Sequence, residues 1–386
     1  MRSFRVTSRH GEYDVVVGRG AWRRLRTLVR SGDFPGHRPA LQRGYSSIFV
    51  LTERGLWRRW GRLFQTEAGL KNCGVLYVPP GERSKSLAMV ERTAARLLAA
   101  RADRRSLLVA FGGGVVGDLG GFLASTYMRG IDLVQAPTTV VAQVDSAIGG
   151  KTGVNVGAMK NLVGTFYPPR LVLADPVVLS SLSPRAFRSG LYEIAKHAIL
   201  AGGRLFAILE TEMESLRPEK PKSLERILPA AAKVKVEVVK RDEREARLRF
   251  VLNLGHTFGH ALEEATAYRR FTHGEAVGWG LLAVLRLANL LGALAKSEEA
   301  RMAELVRRIG PLPSIADLNE RRIVALLPQD KKTIGGRIHW VIPERVGKVR
   351  IVDDVPMELA AAAFREVQAG LNPARMGPRP PTRARA

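Results

Sequence analysis

Three of the chain's seven histidines fall between Asn253 and Glu275, and their spacing is the first sign of chemistry. His256 and His260 stand at i and i+4, so in a helix both imidazoles leave the same face. His273 follows after Tyr268-Arg-Arg-Phe-Thr, and Gly274 permits a tight turn there. Neutral imidazole is the commonest metal ligand, and catalytic zinc takes three protein ligands with one position left open. Core packing or capping is the usual explanation of an i, i+4 pair, so the cluster suggests a metal without naming a reaction. A zincin protease is disfavoured, because H-E-x-x-H needs a glutamate where this chain has Thr257.

Other polar groups approach the same stretch. Glu193, Lys196 and His197 share a helical face at i, i+3 and i+4, and Glu193 suits a carboxylate partner for the histidines. An exposed Glu–Lys pair is the plainer reading of that segment alone. Lys235, Glu245, Arg249 and Asn253 lead into the histidines, and Arg249 with Asn253 at i, i+4 makes a cationic stripe running towards His256 and His260.

Six glycines lie in the ten residues Gly112–Gly121, directly after the strand-like run Leu107–Phe111. Glycines between a strand and a helix let the backbone approach a phosphate, with helix N–H groups aimed at the anion. A dinucleotide pyrophosphate is the favoured occupant, although G-x-G-x-x-G is missing; the alternative is a turn needed only for packing. Upstream, Glu82 and Lys85 follow another strand and suit a ribose or adenine. Asp145, Lys151 and Asn155 sit in a Gly-rich run whose Gly149-Gly150-Lys151-Thr152 resembles the end of a P-loop without its earlier glycine. Lys160 and Asn161 precede Gly164-Thr-Phe-Tyr-Pro. Lysines and amides among glycines suit a phosphorylated, hydroxyl-rich ligand.

These residues need two kinds of scaffold. Tyr13–Val17, Ser47–Leu51, Val75–Val78, Leu107–Phe111, Ile131–Gln135 and Leu171–Ala174 read as strands separated by helical patterns, which predicts an α/β domain with a largely parallel sheet. Ser31–Gly44 reads as a surface loop. Ser183-Pro184 is a helix start, and the pattern stays helical to about Ile309. We therefore expect an α/β domain over residues 1–182, a mainly helical domain over 183–375 and a disordered basic tail over 376–386. Two short strands, Arg337–Ile342 and Lys348–Ile351, are expected near the end.

Composition is globular, with 46% hydrophobic and 25% charged residues in 386. No apolar run is long enough for a bilayer span. The N-terminus lacks the apolar core of a signal peptide, and Cys73 is the single cysteine, which points to the cytoplasm. A net charge of +25 favours anionic partners. The arginines are scattered without a nucleic-acid motif, so nucleic-acid binding is not expected, and neither is a membrane partner.

Together these blocks resemble the 3-dehydroquinate synthase family of sugar-phosphate cyclases, from about Tyr13 to Gly347. The matching blocks are G-G-G-V-V-G-D, P-T-T-x-x-A-Q-V-D-S-x-I-G-G-K-T-G-V-N, K-N-L-V-G-T-F-Y-P, N-L-G-H-T-F-G-H-A-L-E and H-G-E-A-V. The resemblance implies a Rossmann-like NAD-binding α/β domain, a C-terminal helical metal-binding domain and a homodimer. It implies that Glu193, His256 and His273 hold Zn2+, or Co2+ in its place. NAD contacts would be Glu82, Lys85, Gly114, Val115, Val116, Gly117, Asp118, Thr138, Thr139, Lys151, Lys160, Val178, Leu179, Ser180 and Ser181. The substrate, 3-deoxy-arabino-heptulosonate 7-phosphate, would meet Asp145, Lys151, Asn161, Lys196, Lys235, Arg249, Asn253 and His260. Arg129 would reach the phosphate in the neighbouring subunit, and Lys331 or Lys332 would add a further contact. The implied reaction takes hydride from C5 onto NAD+, eliminates phosphate, returns the hydride, opens the ring and closes a carbocycle by an aldol step.

The chain departs from the family pattern at Val156, Tyr192, His197 and Arg247, which flank the implied ligands. Two other activities fit many of the same residues: a cyclase for a different sugar phosphate, and a metal-dependent polyol dehydrogenase. The dehydrogenase has no need of the phosphate-directed Lys151, Asn161 and Lys235.

Overall fold

The computed structural model describes residues 1–8, 11–31, 44–157, 159–329 and 338–370. Its chain divides into two compact units, Met1–His197 with Glu214–Arg249, and Ala198–Met213 with Phe250–Ala386.

The first unit is built on a sheet of β1 (Arg2–Ser8), β2 (Gly11–Val17), β3 (Ile48–Glu53), β4 (Gly74–Val78), β5 (Leu107–Gly112) and β6 (Asp132–Pro137). A hairpin of β7 (Lys151–Val156) and β8 (Met159–Phe166) follows, and then β9 (Leu171–Ala174) returns to the sheet. The strand order is β1-β2-β9-β6-β5-β3-β4. Every pairing is parallel except β1 with β2. All six residues of β5 are buried, as a central parallel strand covered on both faces requires.

The six runs read as strands correspond to β2, β3, β4, β5, β6 and β9. The β7–β8 hairpin was not foreseen, and its glycines explain why. A Cβ on Gly164 would come 2.1 Å from the Thr152 carbonyl oxygen, and one on Gly153 would come 2.8 Å from that of Val163. The glycines that make this segment read as loop are what let the two strands approach. Ser31–Gly44 falls almost wholly outside the described residues, as does the 376–386 tail.

Ser183 Oγ accepts from the Ala186 N–H at 3.2 Å, capping the helix Pro184–Ala201 where Ser-Pro predicts a start. Between residues 182 and 309 no strand occurs among the described residues. In the second unit the helix His273–Leu290 is buried along nearly its whole length. It packs against His256–Ala265, Lys296–Arg308, Met357–Ala369 and the strand β10 (Trp340–Arg345), which pairs with β11 (Lys348–Val352). A Cβ on Gly280 would lie 1.8 Å from the Gly255 carbonyl oxygen. This glycine therefore sets the close approach of the two helices that carry the histidines.

Candidate functional site

The glycine turn stands at the C-terminal edge of the sheet. β5 ends at Gly112, Gly113 is the N-cap, and the helix Gly114–Thr126 begins at once. Gly113 brings no capping side chain, so the first-turn amides keep their capacity for an anion. Side chains would close the space: a Cβ on Gly114 would come 3.2 Å from Ser146 Oγ, and one on Gly117 would come 2.9 Å from Gln135 Oε1. Thr138 N donates to the Gly112 carbonyl at 2.9 Å, which holds Thr138 and Thr139 beside the turn. The strand order reverses between β3 and β5, the place where open α/β sheets bind ligands.

Other nucleotide candidates join this edge. Lys85 Nζ pairs with the Asp118 carboxylate and donates to Asn161 Oδ1. Asn155 Nδ2 donates to Glu82 Oε1 at 2.9 Å and Asn155 Oδ1 accepts from Asn161 N at 2.9 Å, so the β7–β8 hairpin is tied to the loop after β4. Lys160 precedes Asn161 on β8. Asp175 Oδ1 caps the 3-10 turn Pro176–Ser181 at Val177 N (3.0 Å). That turn carries Val178, Leu179, Ser180 and Ser181, and Gln143 Nε2 donates to the Asp175 carbonyl at 2.8 Å, linking it to the segment after β6. Arg129 is not brought in. It lies beyond the far end of the Gly114–Thr126 helix, about 20 Å of helix from the glycine turn.

A second group in the same unit centres on Asp145, which stands on a single π-turn, Ala142–Ser146, a feature frequent at functional sites. The helix Ile227–Arg241 packs against that turn and delivers Lys235, whose ammonium pairs with Asp145 Oδ1. Lys196 Nζ lies 3.0 Å from Asp145 Oδ2 and 2.5 Å from Glu193 Oε2. Glu193, Lys196 and His197 are completely buried, which rules out the plain exposed pair. Burial would raise Asp145, yet Lys196, Lys235 and His197 hold its carboxyl well below the usual carboxylate range. Burial lowers Lys235 to about 8, with Asp145 opposing the shift and Arg249 and Lys196 adding to it.

Arg249 is buried against the Gly149–Gly150 turn, donating to the Gly149 carbonyl at 3.2 Å. Tyr13 Oη accepts from Gly149 N at 3.1 Å on the other side. Lys151 pairs with Glu245. Thus Asp145, Lys196 and Lys235 form one knot, while Arg249 and Lys151 flank the glycine pair after it. A buried lysine at about 8 predicts a pH effect. The charge of Lys235 is complete below about pH 7 and lost as pH rises through 8. The kcat/KM for an anionic substrate should therefore fall on an alkaline limb near pH 8, and Lys235→Arg should move that limb upward. An identical alkaline limb in the arginine chain would contradict this.

In the second unit, Gly255 takes a left-handed φ of 78° at the start of the helix His256–Ala265. His256 and His260 leave one face, their ring centroids 5.4 Å apart. His273 opens the next helix behind a Thr272–Glu275 capping box, and its ring lies 5.2 Å from His256 and 6.2 Å from His260. All three histidines therefore meet. His256 Nδ1 lies 3.2 Å from the Leu254 carbonyl and His273 Nδ1 lies 3.2 Å from Glu263 Oε2. With Nδ1–H donating in each of these bonds, Nε2 is the nitrogen through which either ring would ligate a cation. Glu263 was missing from the residues picked out by sequence, though its place seven residues after His256 was a usable signal. Asn253 ends the 3-10 turn Leu248–Asn253 just before this helix. Lys331 and Lys332 lie outside the described residues.

The 3-dehydroquinate synthase N-terminal family model matches residues 75–189 and the C-terminal model matches residues 190–333. The chain belongs to the 3-dehydroquinate synthase family. It is 42% identical over 322 residues to a 3-dehydroquinate synthase of Solibacter usitatus, covering 83% of this chain and 90% of that one. A 3-dehydroquinate synthase of Koribacter versatilis is 40% identical over 369 residues, covering 94% and 97%. Among solved structures, 2-deoxy-scyllo-inosose synthase complexed with carbaglucose-6-phosphate, NAD+ and Co2+ superposes with a TM-score of 0.79 at 25% identity, covering 95% of this chain and 99% of that one. The 2-epi-5-epi-valiolone synthase of Streptomyces hygroscopicus, with NAD+ and Zn2+ bound, has a TM-score of 0.80 at 28% identity, covering 93% and 97%. Glycerol dehydrogenase of Schizosaccharomyces pombe shares the fold, with a TM-score of 0.63 at 16% identity, covering 92% and 88%. The α/β-plus-helical fold class read from sequence is the one these cyclases share.

Proposed function

We propose that this chain is a carbon–oxygen lyase that converts 3-deoxy-D-arabino-heptulosonate 7-phosphate to 3-dehydroquinate and phosphate. The observation that carries the reading is the pair of buried ammoniums, Lys196 and Lys235, held by one carboxylate, Asp145. A hydride-transfer enzyme for a neutral polyol has no use for that charge. An enzyme that must bind and expel phosphate does.

The donor chemistry fits both groups that the cyclase structures contain. The uncapped turn Gly114–Asp118, with Thr138 and Thr139 beside it, suits a pyrophosphate; Glu82, Lys85, Lys151, Lys160 and the turn Val178–Ser181 complete the NAD set, which we assign to residues 1–182. For the metal we assign Glu193, His256 and His273, with Zn2+ or Co2+ as the ion. When bound, NAD+ takes up and gives back one hydride, and the cation draws electron density from neighbouring hydroxyls.

The remaining residues bind and orient. Lys196 and Lys235 neutralise charge on the substrate, and Asp145 keeps both ammoniums in place while accepting a hydroxyl. Arg249, Lys151 and Asn161 are phosphate and carboxylate partners, and Asn253 and His260 hydrogen-bond the sugar. Arg129, at the far end of its helix, serves the phosphate in the neighbouring subunit of a homodimer. The β7–β8 hairpin supports that assembly, since Val156, Met159, Leu162 and Phe166 are exposed on it. No helix among the described residues is long and apolar enough to cross a membrane, and we assign the enzyme to the cytoplasm.

With NAD+ and the heptulosonate phosphate, purified protein should release inorganic phosphate. A strong chelator should abolish the release, and added zinc or cobalt should restore it. Full activity after chelation would remove the metal from the account.

A further inference from the structure

We propose that Glu263 is a positioning residue for the His273 imidazole and sets how tightly the chain holds its divalent ion. The inference rests on the reading of His256 and His273 as metal ligands. Glu263 follows His256 by seven residues, two helical turns, so both stand on the face that carries His260. Glu263 is buried, at 5% exposure, and its carboxylate meets His273 Nδ1 at 3.2 Å. A charged acceptor there fixes the tautomer, locks the ring's rotation and makes the other nitrogen more basic.

The backbone is arranged to make this contact. After the helix ends, Ala267 and Tyr268 take left-handed φ values of 52° and 57°, and Tyr268 N donates to the Glu263 carbonyl at 2.7 Å. The chain thus turns back on Glu263 itself. The Thr272–Glu275 capping box then fixes His273 as the first helical residue. His256 is oriented differently, by the Leu254 carbonyl, which no side-chain substitution removes. Of the two orienting acceptors, Glu263 is the one that evolution or mutagenesis can tune.

A competing arrangement uses the same atoms. His260, Glu263 and His273 present ligand atoms within 4.8 Å of one another, so Glu263 as a direct ligand is the alternative that the test must separate. Metal-free protein, without NAD+ or substrate, is titrated with Zn2+ against a chromophoric chelator, and the visible spectrum of the Co2+-loaded form is recorded at saturation. Glu263→Ala should weaken zinc binding about 10- to 100-fold. Glu263→Gln, whose amide oxygen still accepts from Nδ1–H, should weaken it less, by several-fold. Both should give the wild-type cobalt spectrum once saturated.

Wild-type zinc affinity in either chain would overturn the proposal. An altered cobalt spectrum in both at saturation would overturn it in favour of direct ligation. Should Glu263→Ala not fold, Glu263→Gln decides alone, by weakened against unchanged affinity. A His273→Ala chain is expected to lose tight zinc binding; wild-type affinity there would overturn the ligand assignment itself, a failure distinct from that of Glu263.

Discussion

Glu193→Gln is expected to lose phosphate-releasing activity by on the order of 10³-fold, equivalent to about 4 kcal/mol of transition-state stabilisation, while NAD+ binding stays near wild type. Glu193 is completely buried and lies 2.5 Å from the Lys196 ammonium. Glutamine keeps the volume and one oxygen but removes the negative charge. The proposed cation site then loses its one anionic donor, and Lys196 loses one of its two counter-charges. The glycine turn at Gly114 makes no use of Glu193, so calorimetric NAD+ titration separates the two effects. Near-normal phosphate release by this chain would remove Glu193 from the proposed ligands.

Asp145→Asn should have the largest effect on stability. It strips the shared counter-ion from Lys196 and Lys235, and a buried charge left without its partner costs about 3–5 kcal/mol. The pH dependence supplies a sharper signature. Burial already lowers Lys235 to about 8, and Asp145 opposes that shift; without Asp145 the lysine falls further. The unfolded lysine titrates near 10.4, so the unfolded state binds more protons in between, and stability rises with pH across that window. In wild type the rise begins near pH 8. In Asp145→Asn it should begin lower, so that denaturation midpoints recover between about pH 7 and 8. Wild-type midpoints throughout that range would show that the ammoniums do not depend on Asp145.

Much of the first unit was legible because its strands are short apolar runs between helical patterns, and β5 running into Gly112–Gly114 is a local signal. The β1 strand was hidden by its alternating Arg, Ser and Thr, which face solvent at one edge. The β7–β8 hairpin was hidden because its glycines act through a strand partner that sequence does not show. The histidine spacing revealed a shared face, and His260 and His256 do share it. What spacing could not supply is how the nitrogens are used: Nδ1 of His273 is committed to Glu263 and that of His256 to a backbone carbonyl. The role of Asp145 was equally invisible, since its partners lie 51 and 90 residues away.

In the proposed reaction the oxidation is internal to a phosphate elimination, and one mixture tests this. Chain, NAD+, Zn2+ and 3-deoxy-D-arabino-heptulosonate 7-phosphate are mixed, and inorganic phosphate and NADH absorbance are followed together. Many equivalents of phosphate per enzyme should appear with no accumulation of NADH. Steady NADH accumulation without phosphate, or with a simple polyol in place of the heptulosonate, would contradict it and make the chain a dehydrogenase.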